Sequence, residues 1–525
     1  MTERSRISGP TPDPSLSEFD EPLDGAPAAA IAGLVEVEPR AAADDLKRKT
    51  AVSILWTIVR TGSDYILSFI VFAVLARKLG PAAFGVYALA VAFAEVGKVL
   101  PSSGLIDTLT RAKRVSPEMA DTVFWSTLVL SGLVAVVIAL VAQPLGRAFG
   151  APEVAPLVTA LGCIVPITAA GATHMAMRLR EFGHRSLASR SVVSGVLGGV
   201  AALTAAWAGW GAWSLVVQRG VSEVAGTAMA WQAYPWMPGR RYSGSMLRQM
   251  AGLSASMTGT QILNVALVRV QDVVIGRVIG PAAVGVYRTA WRTIDLIAQG
   301  AILPFAQVSL PALARLQDDL PAFRKAYLRL IGVSSALAFP AIIGFAVLAP
   351  SAIPLIFGDR WTESASIAQI LGFLAVPFTL NRFAAPGLAA LGRSGTLARL
   401  AVLQVVLTII LSLIAAPFGL TAMAWAYVFR AYLTLPPQMY AFKRHSGLGY
   451  GPVLGAIAPG LLMALIMAGV LLLVGPMTQI RFPDRVLFVL VMTLIGTAVY
   501  VVSLLVFARG FVLEQVGDFR KLVRV

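Results

Sequence analysis

Apolar residues run through this chain in blocks of about 20, with short polar breaks between them. Fourteen blocks can be marked, near residues 52–76, 83–100, 122–144, 155–176, 187–207, 211–233, 253–276, 283–304, 328–349, 364–388, 396–416, 419–440, 452–475 and 486–508. Each is long enough, as a helix rising ~1.5 Å per residue, to cross ~30 Å of hydrocarbon. Pro166 and Pro377 interrupt the fourth and tenth blocks, where a proline kinks a membrane helix without forbidding it. The pattern predicts an all-α polytopic membrane protein with about 14 transmembrane helices.

Composition supports that class and removes others. The 525 residues are 57% hydrophobic and 13% charged, against roughly 25% charged in an ordinary soluble domain. The mean hydropathy is +0.76. A single cysteine, Cys163, excludes a disulfide framework and a cysteine metal site. His174, His184 and His445 lie far apart without ligand spacing, and no phosphate-cradling GxxxxGK[ST] loop is present. Neither a cofactor nor a catalytic role is expected.

The net charge of +16 would suggest nucleic acid in a soluble protein, but here it reads as topology, and no nucleic-acid partner is expected. With the N-terminus inside, 28 Lys and Arg fall on inner segments or at the inner ends of the adjoining blocks (Arg190, Arg329 and Arg399), and seven on outer loops, namely Arg77, Lys78, Arg147, Arg277, Arg360, Arg481 and Arg485. That four-to-one bias places both termini in the cytoplasm. Residues 1–50 form a separate stretch. Up to residue 46 they hold six prolines and ten of the 27 acidic residues, the composition of a disordered tail. No apolar segment follows the first basic residues, so a cleaved signal peptide is not expected. Lys47-Arg48-Lys49 marks the cytoplasmic edge of the first span.

An internal repeat organises the rest. Residues 76–87 read ARKLGPAAFGVY and residues 276–287 read GRVIGPAAVGVY, identical through Gly-Pro-Ala-Ala and Gly-Val-Tyr. Phe149-Gly150 resembles Phe357-Gly358, and LGCIVPIT at 161–168 resembles LGFLAVPFT at 371–379. Two six-helix lobes are therefore expected, over 51–236 and 237–448, with two further transmembrane helices and a cytoplasmic C-terminus over 449–525. An even number of spans per copy makes the repeats parallel, an arrangement typical of alternating-access transporters with a central cavity. The motif itself reads as a hairpin that binds no ligand. Gly80 and Gly280 end one helix, Pro81 and Pro281 start the next, and Tyr87 and Tyr287 are expected near the outer membrane interface.

Ionisable residues inside the spans are the candidate chemistry, because a charge at the bilayer centre costs at least ~2.5–3.5 kcal/mol and usually faces a cavity or a partner. They are Arg60, Asp64, Glu95, Lys98, Arg219, Glu223, Arg269, Asp272, Arg288, Arg292, Asp295, Arg382 and Arg430. Arg60–Asp64 and Arg219–Glu223 are four apart, and Glu95–Lys98, Arg269–Asp272 and Arg292–Asp295 are three apart, so each pair shares a helix face. This leaves Arg288, Arg382 and Arg430 as surplus guanidinium, suited to an anion such as phosphate. A structural reading stands beside it, in which some of these charges snorkel to an interface and others lock helices together. Glu95 and Asp295 share the 200-residue offset of the repeat, and Asp64 matches Asn264. The acids Asp64, Glu95, Glu223, Asp272 and Asp295, with Lys98, are candidates for charge pairing or for coupling to H⁺ or Na⁺.

Several ordered strings resemble the Wzx-type oligosaccharide flippases, the polysaccharide transporter branch of the MOP exporter superfamily. They are LARKLGPAAFGVYALAVAF (75–93), GLIDTLTRAKRV with TVFW (104–125), MRLREFGHRSLASRSVV (177–193), GWGAWSLVVQR (209–219), QDVVIGRVIGPAAVGVY (271–287), LPALARLQDD (310–319) and PLIFGDRW (354–361). The resemblance spans about residues 50–445. It implies two lobes around a cationic cavity in a bacterial inner membrane, among membrane lipids. The implied substrate is a lipid-diphosphate-linked oligosaccharide, moved from the cytoplasmic to the periplasmic leaflet for exopolysaccharide, capsule or O-antigen synthesis, with a polysaccharide polymerase and copolymerase as possible partners. The family has no tight site signature, so the candidate residues come from charge placement alone. A cation-coupled multidrug exporter of the same superfamily is the alternative reading. A membrane polysaccharide polymerase or glycosyltransferase is a remote one, because every expected outer loop is short.

Overall fold

The computed structural model describes residues 39–507 apart from Ser103, Lys113, Phe182 and Gly183, with side chains from Leu67 onward save at a few scattered positions. Residues 1–38 of the tail expected over residues 1–50, and the side chains of Arg60 and Asp64, lie outside the described residues. Contacts divide the chain after Ile54. In the shorter unit, residues 39–54 are helical. The longer unit, Leu55–Val525, holds the helical bundle and its cavities.

Among the described residues there is no strand. The helices are α1 (Pro39–Ser102), α2 (Gly104–Arg111), α3 (Pro117–Ala148), α4 (Val154–Arg180), α5 (His184–Trp207), α6 (Trp213–Ala233), α7 (Gly244–Val278) and α8 (Pro281–Ala314). They continue as α9 (Leu320–Phe357), α10 (Thr362–Leu371), α11 (Ala375–Ala390), α12 (Ser394–Ala415), α13 (Leu420–Leu433), α14 (Leu435–Ser446), α15 (Tyr450–Arg481) and α16 (Arg485–Phe507). All fourteen apolar blocks fall on these helices, with local departures. Pro166 sits inside an unbroken α4. The tenth block divides at a 3₁₀ turn over Gly372–Leu374, just before Pro377. The twelfth divides at Thr434, ahead of Pro436 and Pro437, which have no N–H to donate to the carbonyls four residues back.

Nine helices among the described residues are long and apolar enough to cross a membrane. Helices α6, α7 and α8 have the length but not the apolarity. They carry Arg219, Glu223, Arg269, Asp272, Arg288, Arg292 and Asp295. A helix with this many charges cannot present every face to lipid, so these three mark where the polar interior of the bundle should be.

The two Gly-Pro-Ala-Ala copies build one joint. Gly80 (φ 79°) breaks α1, and Gly280 (φ 122°) precedes α8; both adopt backbone that only glycine reaches without strain. Each following proline occupies a first helical turn, where its missing N–H costs nothing. The copies then meet each other: a Cβ on Gly85 would overlap the carbonyl oxygen of Pro281, and a Cβ on Gly285 would overlap that of Pro81. The contact is reciprocal between the two copies of the motif. Further bonds fasten it. Trp361 Nε1 donates to Ala76 O at 3.0 Å, Arg77 Nε to Ile356 O at 2.8 Å and Ser364 Oγ to Val286 O at 2.9 Å. Phe84 meets Trp361 edge to face, and Phe72 meets Phe357 in the same way. Trp361, Phe357 and Phe339 are among the largest fully buried side chains of the core beneath this end.

Candidate functional site

Below the joint, α1, α6, α7 and α8 enclose a cavity of about 630 Å³. Its wall draws on four helices. Tyr87 and Glu95 come from α1, Arg219 and Glu223 from α6, Arg269 from α7, and Arg288, Arg292 and Asp295 from α8. Helical spacing accounts for the alignment. Arg288, Arg292 and Asp295 recur at four and three residues and so share one face of α8.

The charges are joined differently from their sequence spacing. Arg219 Nε lies 3.2 Å from Glu223 Oε1, and Arg269 Nη1 lies 3.3 Å from Asp272 Oδ2, both within one helix. Lys98, however, pairs with Glu223 of α6 at 2.8 Å and not with Glu95. Glu95 of α1 instead accepts from Arg269 of α7, Nη2 to Oε2 at 2.5 Å. Arg288 is not surplus, because it donates through Nε and Nη2 to Asp272 and to Val268 O at 2.5 Å. Arg382, also expected to be unpaired, sits 3.6 Å from Asp295. Asp272 is fully buried and answers two guanidinium groups, which helical spacing alone cannot reveal.

Among the candidate guanidinium groups whose side chains are described, those without a carboxylate are Arg292 and Arg430, the first contrary to its expected pairing with Asp295. Arg292 Nη2 donates to Ser68 Oγ, its Nε has no partner, and its head lies 5.0 Å from the Phe72 ring centre. Arg292 therefore offers donors to the cavity. Arg430 is buried, outside the cavity wall, with its head 4.4 Å from the Tyr427 ring and its Nε unpartnered. Arg382 and Arg430 thus do not join the expected cationic lining. The wall carries Arg219, Arg269, Arg288 and Arg292 against Glu95, Glu223 and Asp295, a smaller excess than the in-span count suggests.

The two motif tyrosines have different surroundings. Tyr87 faces the cavity, and Tyr287 is buried and donates to Gln271 Oε1 at 2.7 Å. Each stands six residues past its proline, ~9 Å along the helix. Charge reasoning alone also passes over Ser68, Phe72, Gln218, Ser222, Trp291 and Gln299 on the wall. The available signal is proximity on a helix: Gln218 and Ser222 flank Arg219 and Glu223, and Gln299 donates to Asp295 Oδ2, one turn back, at 2.6 Å. No group of three or more metal-binding side chains occurs among the described residues.

The arrangement can hold an anion against Arg292 and a ring-shaped group against Tyr87, Phe72 and Trp291, all on one cavity wall. Known proteins agree with such a scaffold. The chain is 25% identical to the succinoglycan biosynthesis transport protein ExoT of Rhizobium meliloti over 87% of its own length and 92% of that relative. It is 22% identical to the lipopolysaccharide biosynthesis protein WzxC of Escherichia coli over 62% and 67%. Its fold matches the lipid II flippase MurJ in an inward closed conformation, with a TM-score of 0.69 at 13% identity, covering 87% of this chain and all of that one. An inward-facing multidrug resistance MATE transporter of the MOP superfamily gives 0.55 at 17% identity over 74% and 98%. The family model described as polysaccharide biosynthesis protein matches residues 74–366, more than half the chain, so this multi-pass membrane protein, built on the MOP-superfamily fold, belongs to the polysaccharide biosynthesis protein family.

Proposed function

We propose that this protein flips a lipid-diphosphate-linked oligosaccharide from the cytoplasmic to the periplasmic leaflet of a bacterial inner membrane, for assembly of a surface polysaccharide. The observation that carries the reading is Arg292, a guanidinium on the cavity wall with no carboxylate partner among the described residues. A diphosphate supplies the paired oxygens that guanidinium binds in bidentate fashion. Arg219 is a second donor, because its side chain is 40% exposed while it contacts Glu223. Tyr87, Phe72 and Trp291 suit the apolar faces of sugar rings. A cavity of about 630 Å³ is within the range of ligand sites and takes the diphosphate with its first sugars while the lipid tail stays in the bilayer.

In this reading the lobes 51–236 and 237–448 rock about the substrate with both termini cytoplasmic. The joint at Gly85 and Gly285 lies at the periplasmic end, so the described state is closed to the outside. Substrate displaces part of the Glu95–Arg269 and Glu223–Arg219 pairing, and the joint then parts. No covalent chemistry takes place. The names of ExoT, WzxC and MurJ, covering transport or biosynthesis of polysaccharide and flipping of lipid II, support this direction. Coupling to H⁺ or Na⁺ through Glu95 or Asp295, and cooperation with a polymerase and copolymerase, belong to the same proposal.

Deleting the gene tests it. Lipid-diphosphate-linked oligosaccharide should accumulate in the cytoplasmic leaflet while surface polysaccharide is lost. Intact polymer, together with a new sensitivity to cationic drugs, would overturn the reading in favour of a multidrug exporter.

A further inference from the structure

A second polar site lies at the end of the molecule away from the Gly-Pro joint, outside the cavity. Between α2, α3 and the loop that follows α6 is a groove of about 580 Å³, lined by Leu105, Trp125, Ser126, Leu133, Arg240 and Tyr242 among others. The loop that forms one side is firmly held. Gly239 N donates to Asp121 Oδ1 at 2.8 Å, Arg241 N to Asp121 Oδ2 at 3.4 Å and Ser243 N to Thr122 Oγ1 at 3.0 Å. Trp125 Nε1 donates to Gly239 O at 2.8 Å. The buried Asp121 carboxylate is thereby used on backbone, and Arg240 shares the groove wall with the Trp125 and Tyr242 rings.

Next to the groove a second space of about 540 Å³ is lined by Gly244, Ser245, Arg248 and Gln249. These residues open α7, a 35-residue helix capped by Ser243. A helix start offers unsatisfied N–H groups and a positive dipole end to an anion. Arg240 and Arg248 are exposed, and no ion pair is formed by either among the described residues. Ser126 Oγ is buried on the groove wall without a hydrogen-bond partner. Beyond the basic end, Val129, Leu133, Val136 and Leu140 of α3 are all more than half exposed. At spacings of four, three and four residues they form one apolar stripe leading out of the groove. A basic head, two aromatic rings and an apolar track match the order of groups in a membrane lipid.

We infer that this groove binds an anionic phospholipid of the leaflet on that side, its phosphate between Arg240, Arg248 and the start of α7, and one acyl chain along the α3 stripe. In the proposed orientation that leaflet is the cytoplasmic one, but the site itself does not depend on substrate. The full chain, purified and offered phosphatidylglycerol or phosphatidylcholine of identical acyl chains, is read by native mass spectrometry for retained lipid. Wild type should retain phosphatidylglycerol selectively. Arg240→Ala and Arg248→Ala should each weaken retention about fivefold and the double variant about 25-fold, at roughly one charge contact apiece. Arg292→Ala in the cavity should leave retention unchanged, which separates this site from the transport pathway. Equal retention of both lipids by wild type, or a double variant that retains phosphatidylglycerol normally, would overturn the inference. So would displacement of phosphatidylglycerol by an equimolar polyprenyl diphosphate, which would make the groove a substrate site.

Discussion

Replacing Gly85 with alanine adds one methyl group where the two repeats touch, and the sign of its effect is opposite to that of helix propensity. On propensity alone, alanine in a helix is favoured over glycine by ~0.8–1 kcal/mol, so a free helix face would gain stability. At Gly85 the new Cβ meets the Pro281 carbonyl, backbone that no side-chain rotation can move. Apolar atoms prefer separations of ~3.5–4.0 Å, so the helix starts must part by about 1–2 Å or distort. Overpacking of this kind costs typically ~1–3 kcal/mol. A penalty of ~2 kcal/mol against the closed joint shifts its equilibrium with an open state about 30-fold, at tenfold per ~1.4 kcal/mol. Gly285→Ala should act alike, because its Cβ meets Pro81.

Spin labels on the exposed Ala82 and Ala282, with Cys163 replaced by serine, would read the distance across the joint by double electron–electron resonance. The parent should give one short-distance population, and each alanine variant a second, longer one. Unchanged distance distributions in both variants, with the fold intact, would refute the view that the repeat motif forms a tightly packed closure.

Other variants probe single contacts. Asp272→Asn removes the charge facing Arg269 and Arg288 at a buried position; loss of ~3–5 kcal/mol should appear as a marked fall in melting temperature in detergent, and an unaltered melting curve would contradict the pairing. Trp361→Phe keeps a ring against Phe84 but removes the hydrogen bond to Ala76 O, so thermal unfolding should show a loss of about 0.5–1.5 kcal/mol. Arg430→Met removes a buried guanidinium with an unpartnered Nε; stability should hold or rise and transport should stay within about twofold of wild type, because the residue lies off the cavity wall. A large transport defect in a folded Arg430→Met protein would return that residue to the pathway.

The helices were legible because apolar runs of membrane-crossing length admit one backbone solution in lipid. The repeat was legible as a copied string, and Gly80 and Gly280 carried their own reason in positive φ. What the string could not disclose is that Gly85 and Gly285 face each other; a close approach has no sequence signature until the partner helix is in place. Charge pairing failed for the same reason. Spacing finds Arg219–Glu223 because both ends share a helix, but Glu95 and Arg269 are 174 residues apart and meet only when α1 packs against α7. Once Arg288 was claimed by Asp272, and Asp295 by Arg382, the free guanidinium became Arg292.

The most direct test of the transport function is flipping by the purified protein in proteoliposomes. A lipid-diphosphate-linked oligosaccharide placed in the outer leaflet, with the headgroup readable by a membrane-impermeant sugar-modifying enzyme, should become protected at a rate set by the protein. Wild type should accelerate protection well above empty vesicles, and Arg292→Ala, folded and inserted to the same extent, should lose about tenfold or more of that rate, as one charge-assisted phosphate contact worth ~1.5–3 kcal/mol implies. Wild-type flipping that is matched by Arg292→Ala would contradict the site, and no flipping by wild type would contradict the function.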